Sequence, residues 1–271
     1  MQAQDGNNAL TDIIQVKQEG RVKVVVINNP KRRNALPIEG YQAIAAELLA
    51  AENDDAISAF LLVGAGEYFC AGGKVDGLGA RRALPESQRR ELLEIGLHDL
   101  IRRMQRSPLP IIAAVEGGAA GAGFAMALAA DFLYSDEQAR FIVAQVRLGL
   151  GPDGGVTRLL AQALPRQLLT ELCVAARPID AQRLHHFGVI NQLCPTGTAY
   201  DEALAFAQQL AQGPAQAMAG IKQLCHQAYD NELSAQLDAE ARFMAAAQGG
   251  AEAAEGIAAF LEKRKAQFHR A

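Results

Sequence analysis

Two glycine-rich stretches, Phe69-Cys-Ala-Gly-Gly73 and Gly117-Gly-Ala-Ala-Gly-Ala-Gly123, are where this chain offers chemistry. Each follows a short apolar run, at 59–63 and 110–115 respectively. Glycine and alanine let a main chain approach a ligand closely, and the start of a helix leaves up to four N–H groups without partners. One N–H from each turn, converging, would grip a carbonyl oxygen and steady it as it becomes an oxyanion. Losing one such donor costs about 3–4 kcal/mol of transition-state stabilisation. The same residues also suit plain tight turns and close helix packing, and the local sequence leaves both readings open.

Other chemistries lack their residues. A nucleophile elbow needs GxSxG to expose its serine on a strained turn, and none of the serines has that setting. No GxxxxGK[ST] phosphate loop is present. The glycines at 117, 118, 121 and 123 follow a strand and open a helix, but they fit no G-x-G-x-x-G register for a dinucleotide. His98, His185, His186, His226 and His269 form no metal-ligand spacing, so no metal site is expected. Cys70, Cys173, Cys194 and Cys225 are far apart and resemble no disulfide framework, which suits a reducing compartment.

The elements that must carry the two turns read as α/β. Residues 21–27 form a β-branched run ended by Asn28-Asn29-Pro30. A helix is predicted from Pro37, with Ile38, Tyr41, Ile44, Leu48 and Leu49 on one face. Residues 59–63 and 110–115 read as buried strands, 86–106 as one helix and 121–130 as a helix of small residues. Strands follow at 132–134 and 140–143. Buried strands alternating with helices predict a largely parallel sheet. Beyond residue 195 the pattern turns Ala- and Gln-rich, with helices predicted at 201–212, 214–229, 232–247 and 251–267. The expected division is a core over 1–195 and a helical C-terminal subdomain over 196–271.

Composition sets outer bounds. With 271 residues, the chain is long enough for a substantial core. A net charge of −4 gives no electrostatic footprint for nucleic acid. No apolar run approaches the ~18 residues of a spanning helix, so no membrane partner is expected. The opening MQAQDGNNALTD shows no basic-then-apolar leader, and a cytoplasmic location is expected.

Four motifs in order, FCAGG at 69–73, EGGAAGAG at 116–123, LGLGPDGG at 148–155 and EGIAAFLEKRKAQF at 255–268, resemble the crotonase superfamily of enoyl-CoA hydratases and isomerases. The likeness runs from Asn28-Asn-Pro-Lys-Arg-Arg-Asn-Ala-Leu36 to Phe268. It implies a crotonase-like spiral of ββα units with a C-terminal helical trimerisation region, assembling as a homotrimer or dimer of trimers. It implies an acyl-CoA thioester substrate and no cofactor beyond the coenzyme A of that substrate. The family's oxyanion hole carries over to the backbone N–H groups of Gly73 and Ala122, the latter within Gly121-Ala122-Gly123. Its coenzyme A contacts map onto Lys31, Arg32 and Ala71, with Lys74 and Gly121 beside the hole. Phe260 and Lys263 match tail residues that reach the nucleotide of a neighbouring subunit's ligand, since cations suit its phosphates. Lys263 at a helix end equally suits the helix dipole.

The same resemblance decides between reactions by counting carboxylates. A hydratase of the family uses two glutamates, and the matching positions here are Ala125 and Gln145. A methyl and a neutral amide shuttle no proton near neutrality. Asp153, in Gly151-Pro-Asp-Gly-Gly155, matches the catalytic aspartate of family isomerases, and one carboxylate suffices to move a proton along an acyl chain. Leu148, Leu150 and Val156 are expected to keep it dry. Read locally, Asp153 is equally a turn residue or the N-cap of a helix at 156–160. The pattern is nearest to ring-opening acyl-CoA isomerases, departing at Lys74, where Asp is usual, with Asp76 two residues on. Glu116 reads as structural, and Glu91, Glu94 and His98 as an exposed face over the acyl pocket. Two rivals stay open: a hydratase pairing Asp153 with Glu94 or Glu116, and a CoA-thioester binder without catalysis.

Overall fold

The computed structural model describes residues 13–268. The N-terminal stretch read for a leader lies outside them apart from its continuation at Ile13, as does His269.

A six-stranded sheet organises the molecule. Its strands are β1 (Ile14–Glu19), β2 (Val22–Ile27), β3 (Ala59–Gly64), β4 (Ile111–Val115), β6 (Phe132–Asp136) and β9 (Gln192–Cys194), side by side in that order. β1 pairs antiparallel with β2, and every later neighbour is parallel. A second sheet joins β5 (Gly118–Ala120), β7 (Arg140–Ile142) and β8 (Ile179–Asp180).

The register explains the apolar runs. Val24, Leu61 and Ile112 lie in one row across three strands. They face, with Ala59 and Ala114, the helix Ala199–Leu210 through its Ala203 and Ala207. The alternate residues Val25, Phe60, Leu62, Ile111 and Ala113 face the larger core. There they meet Ile44 and Leu48 of the helix Ile38–Glu52, Leu100 and Met104 of Asp99–Arg106, and Phe124 and Met126 of Ala122–Ala129. Strands covered on both faces must be apolar at every position. The Ala-rich face of the 199–210 helix lets it lie close to the sheet.

Two expectations needed correction, and one strand was not anticipated. Residues 86–106 are not one helix: Glu86–Leu93 and Asp99–Arg106 are joined by a π-helical turn, Glu94–His98, in which Gly96 leaves helical geometry (φ −104°, ψ −109°). The last helix ends at Leu261 rather than 267. Lys263 turns left-handed (φ 55°), and the Arg264 N–H donates to the Ala259 carbonyl at 3.0 Å, the closing bond of a Schellman cap. Ile14–Glu19 is a strand although only Ile14 in it is buried. The helices Ala215–Gln227 and Leu233–Gln248 begin within a residue of expectation.

Candidate active site

Both glycine-rich turns lie past the C-terminal ends of parallel strands, β3 and β4, where open α/β sheets place ligands. They are stitched to each other. The Ala120 N–H donates to the Cys70 carbonyl at 2.9 Å, and that of Phe69 to the Glu116 carbonyl at 3.0 Å. A Cβ on Gly123 would come 2.1 Å from the Cys70 carbonyl oxygen, and one on Gly72 would lie 3.1 Å from the Ala122 nitrogen. The glycines are therefore there because two main chains touch.

The flanking amides are occupied. Ala71 donates to the Arg33 carbonyl (2.8 Å), Gly72 to Cys70 Sγ (3.3 Å), Lys74 to the Leu36 carbonyl (2.9 Å) and Gly121 to the Ile142 carbonyl (3.0 Å). Among the described residues no acceptor is paired with the N–H of Gly73 or of Ala122, the first residue of its helix. Two unspent donors thus sit on turns in direct contact. Cys70, buried between them, has its thiol pushed up to about 12 by burial, so it stays protonated and inert.

Asp153 joins this site through Gln145. The Gln145 side-chain amide lies over Gly121, where a Cβ would be 3.6 Å from its Nε2, and that Nε2 donates to Asp153 Oδ1 at 3.0 Å. The helix Val156–Ala161 starts from Gly155 (φ 77°) with no side-chain cap, so Asp153 is not its N-cap. Its carboxylate, half-buried, is held by Gln145 and caps no helix start.

Comparisons with known proteins bear on this geometry. Residues 17–271 match the enoyl-CoA hydratase/isomerase family. The chain belongs to that family. It is 35% identical over 250 residues to the 1,2-epoxyphenylacetyl-CoA isomerase of Escherichia coli K12, covering 92% of this chain and 95% of the relative. It is 30% identical over 253 residues to the 2,3-dehydroadipyl-CoA hydratase of the same organism, covering 93% and 97%. The crystal structure of an enoyl-CoA hydratase from Polaromonas sp. JS666 superposes with a TM-score of 0.91 at 42% identity, covering 94% of this chain and 99% of that one. The chain is accordingly an acyl-CoA enzyme of the enoyl-CoA hydratase/isomerase family with the crotonase fold.

The side chains around the two glycine turns are closely packed. Ala125 is fully buried, and a Cβ on Gly154 (φ 63°) would come within 2.7 Å of both the Ala125 Cβ and Leu97 Cδ2. The turn that carries Asp153 is seated on the small side chain at 125. Ala125→Glu is therefore expected to add no hydratase activity and to lower stability by about 3 kcal/mol, through overpacking and an unpaired buried carboxylate. Thermal denaturation and a hydration assay on the purified variant check this.

The other acids are engaged elsewhere. Glu94 is bound by Arg102, whose hydrogen bond holds the carboxyl below its ordinary range, with Arg90 and His98 nearby. Glu116 accepts from the N–H groups of Gly197 (3.1 Å) and Ala199 (2.8 Å), fixing the start of the 199–210 helix. Glu91 is exposed.

The residues mapped to coenzyme A fall into two groups. Lys31 and Arg32 lie on the 3₁₀ turn Pro30–Arg32, both exposed, beside the ladder that joins 33–36 to 71–74. Arg32 pairs with Asp76 at 3.0 Å. Buried Asn34 locks this edge, donating to the carbonyls of Ala65 (2.9 Å) and Tyr68 (2.5 Å). Lys31, Arg32, Ala71, Gly73 and Lys74 are thus brought together. No hydrogen bond or ion pair of the described residues joins Phe260 or Lys263 to them, and Phe260 stands 83% exposed. Leu148 and Leu150 do not enclose Asp153: they are 55% and 47% exposed, and only Val156 is buried.

Sequence reasoning missed Tyr41. Its ring belongs to the apolar stripe of the 38–52 helix, but its hydroxyl lies 3.5 Å from where a Gly73 Cβ would be. The available signal was a phenol, whose polar end requires a partner, in an otherwise apolar row. Among the described residues no cluster of three or more His, Cys, Asp or Glu is arranged to hold a metal, and no helix is long and apolar enough to cross a membrane.

Proposed function

We propose that this enzyme is an acyl-CoA isomerase, moving a double bond along the acyl chain with one carboxylate and an oxyanion hole. The observation that carries it is Asp153, freed from helix capping and tied by Gln145 to the turn bearing Ala122. The Asp153 carboxylate takes a proton from the carbon next to the thioester, or from its vinylogous position. The electron pair of that C–H bond moves into the chain, and the negative charge rests on the thioester oxygen between the N–H groups of Gly73 and Ala122. The protonated Asp153 then returns the hydrogen to the far end of the dienolate, leaving the enzyme unchanged.

Lys31, Arg32, Ala71 and Lys74 flank the coenzyme A portion in this reading, and Gly121 shapes the hole. Phe260 and Lys263 serve the nucleotide end of a neighbouring subunit's ligand in a homotrimer or dimer of trimers. Residues 196–271 form its assembly region and 1–195 its core. The apolar side chains Ile221, Leu237, Met244, Ile257 and Leu261, exposed in the single chain, suit that burial. No cofactor beyond the substrate's coenzyme A is called for, and a cytoplasmic setting fits the four free cysteines.

The test is a pair of substrates. A 3-enoyl-CoA should be converted to the conjugated 2-enoyl-CoA, read as a rise in thioester-conjugated absorbance. A 2-enoyl-CoA in water should show no loss of it. The reverse pattern would make the enzyme a hydratase, and binding without turnover of either would make it a non-catalytic thioester binder.

A further inference from the structure

We propose that Tyr41 and Gln145 select an acyl group that carries its own oxygen, because the site holds one donor and one acceptor that an alkyl chain would leave unpaired. The inference rests on the acyl-CoA reading above and deepens it. The Tyr41 hydroxyl is sealed from water in a residue 5% exposed, and it has no hydrogen-bond partner. It stands beside Gly73 and close enough to Asp153 to feel its charge. Burial above all pushes its ionisation well above the ordinary tyrosine value, so it remains an O–H donor at any physiological pH.

Gln145 supplies the complement. Its Nε2 is spent on Asp153, and its Oε1 is buried with no partner. Buried polar atoms are nearly always hydrogen-bonded, and one left unpaired needs a physical reason. Here two occur in one site, one beside Gly73 and the other beside Gly121. Neither is close-packed by accident of the surface, since both side chains are anchored: Tyr41 in the core, Gln145 by Asp153. The turn that carries Asp153 rests on the apolar side chains of Leu97 and Ala125. A site built to hydrogen-bond a substrate oxygen rejects the analogue that lacks it, because its own groups then stay unsatisfied. A hydroxyl on the acyl chain fits best. It accepts from Tyr41 and donates to Gln145 Oε1.

The experiment compares saturated thioesters that cannot isomerise. Binding of butyryl-CoA, 3-hydroxybutyryl-CoA and 4-hydroxybutyryl-CoA to the full chain is measured by calorimetry, for the wild type and Tyr41→Phe. At least one hydroxylated thioester should bind tenfold or more tightly than butyryl-CoA. Tyr41→Phe should abolish that preference while leaving butyryl-CoA affinity within about twofold. The same variant, losing an unpaired hydroxyl, should melt at the wild-type temperature or above. Equal affinity for all three thioesters in the wild type overturns the inference. So does an equal loss for alkyl and hydroxylated ligands in Tyr41→Phe, which would make the phenol a further oxyanion donor, or a fall in melting temperature, which would make it a structural bond. Failure to bind butyryl-CoA at all would instead overturn the acyl-CoA reading itself, and this inference with it.

Discussion

Asp153→Asn should lower turnover of a 3-enoyl-CoA by about 10²–10⁴-fold, the range in which a positioned proton carrier contributes. The substitution is chosen because it changes little else. Asparagine has the shape of aspartate, and its Oδ1 still accepts from Gln145 Nε2, the 3.0 Å contact that holds the residue over the site. No helix loses its cap, since the 156–161 helix starts from Gly155 without help from a side chain. The melting temperature should therefore stay within about 2 °C, a shift below 1 kcal/mol for a chain of this size. Affinity for a saturated acyl-CoA should also persist, because binding relies on the two turns rather than on the carboxylate. Steady-state kinetics, calorimetry and thermal melting read the three quantities separately. A folded Asn variant with normal turnover would remove Asp153 from the mechanism.

That separation of roles was invisible in the sequence, and the reason is physical. A Pro-Asp-Gly-Gly string satisfies turn, cap and base equally. What removes the cap is the left-handed Gly155, which starts the helix, and what holds the carboxylate is a side chain eight residues earlier, contacts that no local pattern encodes. The two glycine turns were legible because their requirement is steric: Gly123 must be glycine where the Cys70 carbonyl approaches, whatever the rest of the chain does. The inner strands were legible for a similar reason, since burial on both faces forces a continuous apolar run. β1 was not, because an edge strand with one buried side chain carries no apolar signature. The π turn at 94–98 escaped because the apolar stripe continues through Leu97, Leu100 and Met104 on either side of one inserted residue. The end of the last helix escaped because its left-handed cap is Lys263, where glycine is the usual sign. Leu148 and Leu150 show the opposite error. Hydrophobic residue type predicted a dry site, yet in the single chain both side chains face outward.

Ala122→Pro tests the hole with the least disturbance to the fold. Ala122 is the first residue of its helix, where the N–H has no intrahelical acceptor and a proline ring already has the right φ. The substitution therefore deletes one proton donor and no helix bond. Turnover should fall by about 10²–10³-fold, the loss measured when one oxyanion donor is removed. The added ring carbon lies near Gly72, so the variant is read beside Ala122→Gly, which restores the amide and removes the methyl. The Gly variant should keep activity within a few-fold of wild type, and the Pro variant should melt within a few degrees of it. A folded Pro variant with full activity would show that the Ala122 amide does not hold the thioester oxygen. Combined with Asp153→Asn, the two losses should not add. Base and hole act on one developing charge, so once the proton cannot leave, there is little dienolate for the amide to stabilise. A double variant as slow as Asp153→Asn alone is the expected result, and full additivity would mean that the two groups serve different steps.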